Sequence, residues 1–163
     1  MSARHRPGCS RRRGLQALGL VALGARWAPA PAAGRALPLS SSLQDELARA
    51  LKSRQPLVVM VSLRGCPWCE QVRNHYLAPM RAREGLPVVQ VDMHSAVPTR
   101  TVRAVPTTHD ALVRAWGVKV APTVLFLGPG GQEVADRLVG GAPDFYAAYL
   151  DNRLAQARKG MSL

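Results

Sequence analysis

A pair of cysteines separated by two residues, where an apolar run meets a helical pattern, constrains this chain more than any other feature. Cys66 and Cys69 enclose a Pro-Trp dipeptide. Residues 57–61, just before the pair, are all apolar, which is typical of a strand buried on both faces of a sheet. Residues 67–77 follow with the spacing of a helix. Two cysteines at such a strand–helix junction favour redox chemistry.

The spacing of the two cysteines has a mechanical reason. Cys66 falls at the predicted N-cap and Pro67 at the first helical position, so the Cys66 sulfur can accept backbone N–H groups that have no partner within the helix. These donors and the positive helix end favour a thiolate, and Arg64 would lower the Cys66 pKa further if its side chain turned towards the sulfur. We therefore expect Cys66 to be the nucleophile. Cys69, one turn into the helix and more enclosed, is expected to be the resolving thiol.

The first 32 residues have the layout of a cleaved signal peptide. Five arginines precede an apolar run at 14–25, and small residues in A-x-A patterns follow at 28–33. Residues 10–15, Ser-Arg-Arg-Arg-Gly-Leu, also resemble a twin-arginine export signal. The alternative interpretation is a disordered basic tail. The apolar run would be only about 18 Å long as a helix, which is too short to cross a membrane.

Removal of this segment changes both the charge and the cysteine count. Residues 1–32 hold six of the 22 basic residues, none of the ten acidic residues and one of the three cysteines, Cys9, so the net charge falls from +12 to +6. The remaining basic residues are scattered among the acids without a dense run, which argues against a nucleic-acid partner. Because no window holds 18 apolar residues in succession, we also expect no membrane span in the mature chain.

The rest of the chain is predicted to be a linker at 33–39, one domain at 40–158 and a short tail at 159–163. The predicted elements are a helix started by a Ser41–Gln44 capping box, the strand and helix around the cysteines, a strand at 87–93, a loop at 94–108, a helix at 110–116 ended by Gly117, strands at 124–127 and 133–139 around a Gly/Pro turn, and a last helix with Pro143 at its first position. This order predicts parallel strand pairs joined by helical crossovers, followed by one antiparallel hairpin.

Across about residues 40–158 the chain resembles the thioredoxin-fold thiol–disulfide oxidoreductases. Three motifs carry the resemblance, namely the strand that enters CPWC, the segment Ala-Trp-Gly-Val-Lys-Val-Ala-Pro-Thr at 115–123, and the hairpin that closes on Val-Gly-Gly at 139–141. The resemblance implies an α/β thioredoxin fold with a central mixed four-stranded sheet flanked by helices. It also implies that Pro122 is cis opposite the cysteines and that the backbone of Ala121 pairs with an extended substrate.

The sequence departs from this family at three places. Met60 stands where thioredoxins carry a buried acid, so proton transfer at Cys69 would need water or another group. Gly65 stands where thioredoxins carry a tryptophan. The Pro-Trp pair is closest to the Pro-Tyr of glutaredoxins and the Pro-His of periplasmic oxidants. Because it lacks the imidazole of the oxidants, it does not imply a strongly oxidising potential.

Several features have an alternative interpretation without redox function. The cysteine pair would suit a structural disulfide or half a zinc site, although the sequence supplies no second pair of typical zinc ligands, and Glu70 stands where covalent haem attachment needs His. His75 is expected at the surface, whereas His94 and His109 would bind a metal only if they met. Trp68 is expected either to contact substrate or to pack across the helix start.

The sequence therefore predicts an exported, monomeric periplasmic thiol–disulfide oxidoreductase without a cofactor or bound metal. We expect it to act as a reductase on disulfide-containing protein or small-thiol substrates, with a membrane thiol carrier as electron donor or acceptor. Cys66 and Cys69 would form the redox-active disulfide, while Trp68, Ala121 and Pro122 would position the substrate. The alternatives are a disulfide-forming oxidant or isomerase, and a copper-binding chaperone that holds copper(I) through the cysteine pair without turnover.

Overall fold

The computed structural model describes residues 36–141 and 144–161, so the predicted signal peptide and Pro143 lie outside the described residues. In chain order the elements are α1 (Leu43–Lys52), β1 (Leu57–Ser62), α2 (Pro67–Val72), a π-helical segment (Arg73–Leu77), α3 (Ala78–Glu84), β2 (Val88–Asp92), β3 (Pro98–Arg100), β4 (Pro106–Thr108), α4 (His109–Ala115), β5 (Thr123–Leu127), β6 (Glu133–Val139) and α5 (Tyr146–Gly160). Within the part described, no helix is long and apolar enough to cross a membrane.

Four strands form the central sheet in the order β2-β1-β5-β6. Strand β1 is parallel to β2 and places Met60 beside Gln90, whereas β5 runs antiparallel to both β1 and β6. The mixed four-stranded sheet is thus confirmed. The expectation of successive parallel pairs was wrong for β5, because the connection through α4 returns the chain in the opposite direction.

Apolar side chains on both faces of the sheet form the core. Val58 and Met60 face α2 and α5, whereas the alternate residues Val59 and Val61 face α1 and α4. All six residues of β1 are buried, as the continuous apolar run predicts for a strand covered on both faces. Strand β1 therefore leads from the buried centre of the sheet to the redox motif.

The helix that carries the cysteines continues beyond its predicted end at Leu77. It passes through the π-helical segment into α3 and ends at Glu84, before Gly85 in the left-handed region. Pro79 has no N–H to donate to the carbonyl four residues earlier, and its ring would clash with that carbonyl. The wider π segment just before this position accommodates the proline, so the helix continues instead of stopping.

Two further elements differ from the sequence expectation. The predicted loop at 94–108 contains a two-stranded antiparallel ribbon, in which Thr99 of β3 pairs with Thr107 of β4. The strands are only three residues long and each begins with proline, so the sequence shows no alternation of apolar and polar residues that would predict them. The last helix begins at Tyr146, later than the start at Pro143 that its proline indicated.

The segment before α1 packs against the domain from Leu37 onward, within the predicted linker. Leu37 is buried in the core, and Leu39 forms a parallel bridge with Gln90 at the outer edge of β2. The N-cap of α1 is Ser42, whose hydroxyl accepts from the Asp45 N–H, and not Ser41 as the capping-box pattern suggested. Residues 37–40 therefore pack against the sheet ahead of α1.

Candidate redox site

The site is built where β1 passes into α2. Gly65 has a φ of 72°, a left-handed conformation that suits glycine, and turns the chain from β1 into the helix. Cys66 is the N-cap of α2, Pro67 is its first residue, and the Cys66 Sγ accepts from the Cys69 N–H at 3.2 Å. The sulfur therefore lies where free backbone donors of the helix start can stabilise a thiolate.

The two cysteines are joined by a disulfide and differ in exposure. Their Cα atoms lie 5.2 Å apart. Cys66 is partly exposed, whereas Cys69 is fully buried in the core cluster that contains Met60 and Val72. An incoming thiol or disulfide can therefore approach Cys66 but not Cys69, which matches the roles of nucleophile and resolving thiol.

The loop before β5 faces the cysteine pair. The Ala121–Pro122 peptide bond is cis, and the carbonyl oxygen of Ala121 lies 3.9 Å from the Cys66 Sγ. Two hydrogen bonds hold this loop, from Thr123 Oγ1 to the Val120 carbonyl at 2.7 Å and from the Gly140 N–H to the Pro122 carbonyl at 2.8 Å. The fold thus brings the backbone of Ala121 close to the sulfur of Cys66, although the two residues lie 55 positions apart in sequence.

Trp68 is partly exposed and partly packed, and contact of its exposed part with substrate stays a prediction. Its side chain is 47% exposed beside the disulfide. It also packs near the backbone of Gly141, because a Cβ on Gly141 would lie 3.1 Å from the Trp68 Cβ and 3.5 Å from the Pro122 Cγ. Gly141 therefore leaves room for Trp68 next to Pro122.

A polar cluster beneath the active-site helix was missed by the sequence analysis. Arg73 donates through Nε to the Gln90 Oε1 at 2.8 Å and through Nη2 to the Ser62 Oγ at 3.1 Å, and the Gln90 Nε2 donates to the Asp92 Oδ1 at 2.7 Å. These residues line a crevice of about 480 Å³ together with Arg64, Gly65 and Glu70. The sequence indicated Arg73 only by its helical spacing from Cys69. Its partners Ser62 and Gln90 could not be predicted, because they depend on how β1 and β2 pair in the sheet.

The remaining candidates are exposed to solvent or already engaged in hydrogen bonds. Arg64 is exposed and lines the crevice, and His75 is exposed. His109 is fully buried, with its Nε2 2.8 Å from the Ser40 carbonyl oxygen and its Nδ1 accepting from the Asp92 N–H. Both ring nitrogens of His109 are therefore occupied, which leaves no lone pair for the metal pairing with His94. Residues 36–141 and 144–161 contain no group of three or more side chains arranged to hold a metal.

Comparison with known proteins gives the family of the chain. The thioredoxin-like domain family matches residues 43–154. No curated protein sequence matches the chain.

Similar solved structures share the fold at low sequence identity. They include a DsbH oxidoreductase, 17% identical with a TM-score of 0.51, for which the match covers 86% of this chain and 95% of that one. A thioredoxin from Thermus thermophilus is 22% identical with a TM-score of 0.51, and the match covers 77% of this chain and 91% of that one. The chain belongs to the thioredoxin-like domain family, and with its Cys66–Cys69 pair it is a thiol–disulfide oxidoreductase.

Proposed function

We propose that the chain is exported to the periplasm and acts there as a reductase of disulfides in proteins or small thiols. The observation that carries the proposal is the asymmetry of the pair, with Cys66 partly exposed at a helix N-cap and Cys69 buried one turn later. This asymmetry supports sequential use of the two sulfurs. Only Cys66 is open to a substrate, and Cys69 lies close enough to release it.

The proposed cycle moves two electrons from the cysteine pair to the substrate. The Cys66 thiolate attacks one sulfur of the substrate disulfide, and the other substrate sulfur leaves as a thiolate that takes a proton from water. The Cys69 thiol loses its proton to solvent and attacks Cys66, which releases the second substrate sulfur and forms the Cys66–Cys69 disulfide. A dithiol donor, proposed to be carried by a membrane protein, reduces this disulfide again by the reverse exchange.

Substrate positioning is proposed for Trp68, Ala121 and Pro122. The carbonyl of Ala121 lies 3.9 Å from the Cys66 Sγ, so an extended chain that pairs with this backbone would bring its sulfur next to Cys66. The exposed part of Trp68, which lies next to Pro122, would supply apolar contact area for the substrate. For the pKa of Cys66 we propose a separate role of Pro67, which is the first residue of the helix, and of Arg64, whose positive charge would favour the thiolate if the side chain turned towards the sulfur.

Export is proposed from the order of the N-terminal segments. A basic stretch, a short apolar run and small residues precede the domain, and loss of residues 1–32 would leave Cys66 and Cys69 as the only two cysteines. A reactive pair without a third thiol suits an oxidising compartment, because no further cysteine remains to mispair.

The direction of electron flow is tested by the redox equilibrium of the purified protein with glutathione. We expect a potential near the thioredoxin value of about −270 mV, together with catalysis of insulin reduction in the presence of dithiothreitol. A potential near about −120 mV would instead identify a disulfide-forming oxidant and overturn the reductase proposal.

Two variants test the assignment of the cysteines. Cys66→Ser is expected to abolish insulin reduction, whereas Cys69→Ser should accumulate a stable mixed disulfide with the substrate, detectable by mass spectrometry. Retention of exchange activity in Cys66→Ser would reject the mechanism. Stoichiometric copper(I) uptake by the reduced wild type, combined with no turnover, would favour the copper-binding module.

A further inference from the structure

The face of the sheet beneath the active-site helix changes from apolar to polar towards the cysteines. Along β1 the residues on this face are Val58, Met60 and Ser62, and along β2 they are Val88, Gln90 and Asp92. The apolar pair Val58–Val88 lies at the start of the strands, Met60 pairs with Gln90 in the middle, and the polar pair Ser62–Asp92 lies at their carboxyl ends. A cation, Arg73, is bound at this polar end.

Arg73 lies close to the buried cysteine. It follows Cys69 by four residues, and its backbone N–H donates to the Cys69 carbonyl, so one intact helical turn separates them. Side chains at this spacing are neighbours, with Cβ atoms about 5–6 Å apart, and helical side chains lean towards the N-terminus. The hydrogen bonds to Ser62 and Gln90 fix the guanidinium near the carboxyl ends of β1 and β2, and Ser62 precedes Cys66 by only four residues.

In the part of the chain that the structure describes, no carboxylate pairs directly with Arg73. Its hydrogen-bond partners among the described residues are the uncharged Ser62 and Gln90. The Gln90 amide accepts from Arg73 with its oxygen and donates to Asp92 with its nitrogen, so it separates the cation from the acid. The other charged groups that line this crevice are Arg64 and Glu70, both exposed to solvent.

We propose that Arg73 is a positioning residue for the redox step, a fixed cation that favours the reduced cysteine pair. The reduced pair carries negative charge when a thiolate forms, whereas the disulfide is neutral, so a nearby fixed cation stabilises only the reduced state. Met60 supplies no charge at the adjoining position of β1. The inference rests on the proposed thiol–disulfide exchange and adds the group that sets its equilibrium.

The test measures the equilibrium in which the protein disulfide takes two electrons from two glutathione thiols and gives the dithiol and glutathione disulfide. Arg73→Met is expected to shift this equilibrium about tenfold towards the protein disulfide, which corresponds to about 30 mV. Arg73→Lys, which keeps the charge, should stay within about twofold of the wild type. Gln90→Glu should shift the equilibrium in the same direction as Arg73→Met, because a carboxylate would then pair with Arg73 directly.

Arg81→Met is the matched control, since Arg81 is an exposed arginine of α3 farther along the same helix. It is expected to leave the equilibrium unchanged. An Arg73→Met equilibrium within twofold of the wild type would overturn the proposal, and so would an Arg73→Lys shift as large as that of Arg73→Met, which would indicate a purely structural role. If Arg73→Met does not fold, an unchanged equilibrium in Gln90→Glu rejects the proposal instead.

The inference and the proposed function fail in different ways. Loss of the proposed function would appear as absent exchange activity in the wild type, or as activity that survives in Cys66→Ser. The equilibrium between the Cys66–Cys69 pair and glutathione can be measured in either case. The difference between Arg73→Met and Arg73→Lys therefore reports on Arg73 alone.

Discussion

Tyr146 is a buried residue whose polar atom has no partner. Its side chain is 4% exposed, and its ring packs against Tyr76 with centroids 5.0 Å apart. Its hydroxyl finds no hydrogen-bond partner among the residues that the structure describes. Burial, with a smaller contribution from Tyr76, raises the pKa of Tyr146 above that of an ordinary tyrosine. The residue contributes packing but carries a desolvation cost.

We predict that Tyr146→Phe raises the free energy of unfolding by about 1 kcal/mol at pH 7, because it removes an unsatisfied buried hydroxyl while keeping the ring. The raised pKa also has a consequence in alkali. Above the unfolded tyrosine value of about 10 the unfolded state releases the phenolic proton and the folded state retains it, so stability falls as pH rises. Tyr146→Phe should remove this contribution.

Urea unfolding at pH 7 and at pH 11 measures both effects. Tyr149→Phe is the matched control, because Tyr149 lies on the same helix and is 58% exposed. It should change stability by less than about 0.5 kcal/mol at either pH. Equal pH dependence in the two variants would contradict the role assigned to the Tyr146 environment.

The residues of the site differ in how far the sequence could predict them. The positions of Cys66, Pro67 and Cys69 followed from local helix chemistry, because an N-cap, a first helical residue and one turn are defined within four residues. The cis bond before Pro122 was implied only by family resemblance. Arg73 was missed, because its partners Ser62 and Gln90 meet it only through tertiary packing.

Among the elements, α1 is held by a buried acid that reaches back over its first turn. Glu46 is 6% exposed, and its carboxylate accepts from the Ser40 hydroxyl at 2.6 Å and from the backbone N–H groups of Ser41 and Ser42 at 2.9 and 3.3 Å. This arrangement satisfies donors at the helix start and ties the preceding segment to the helix. The sequence predicted a capping box of Ser41 and Gln44, whereas in the structure Ser42 is the N-cap and Glu46 is the residue that reaches back to the backbone N–H groups.

We predict that Glu46→Ala lowers the free energy of unfolding by about 2–3 kcal/mol, since it leaves buried donors without an acceptor. Urea denaturation with a fitted slope provides the measurement. Glu84→Ala serves as the control, because Glu84 is exposed at the end of α3 and should cost less than about 0.5 kcal/mol. A similar loss in both variants would show that the Glu46 contacts do not stabilise α1.

Elements with a clear local sequence pattern could be predicted, whereas a helix that continues through a proline and strands of three residues could not. The buried strand β1 and the end of α4 before Gly117 matched the apolar run and the glycine signal. The helix beyond Leu77 was missed because Pro79 normally ends a helix, and the π-helical segment that tolerates it has no sequence signature. The ribbon of β3 and β4 was missed because its strands are too short for periodicity.

At the scale of the whole molecule, the segment ahead of α1 completes the outer edge of the sheet. The Gln90 N–H donates to the Pro38 carbonyl at 2.8 Å, and the Ser40 N–H donates to the Gln90 carbonyl at 2.9 Å. Leu37 is buried in the same core cluster as Val88, and it also lines the crevice that contains Arg73. The sequence predicts a linker at 33–39, yet residues 37–40 pair with the edge strand β2 and Leu37 lines the crevice that contains Arg73.

We predict that Leu37→Ala lowers the free energy of unfolding by about 2–3 kcal/mol, because it removes a buried side chain from the core. Leu39→Ala is the matched control two residues away, since Leu39 is 47% exposed and should cost less than about 1 kcal/mol. Urea unfolding of both variants measures the difference. Equal, small losses would place the domain boundary after Leu39, whereas the predicted inequality makes this segment part of the fold that holds Gln90 and, through it, Arg73.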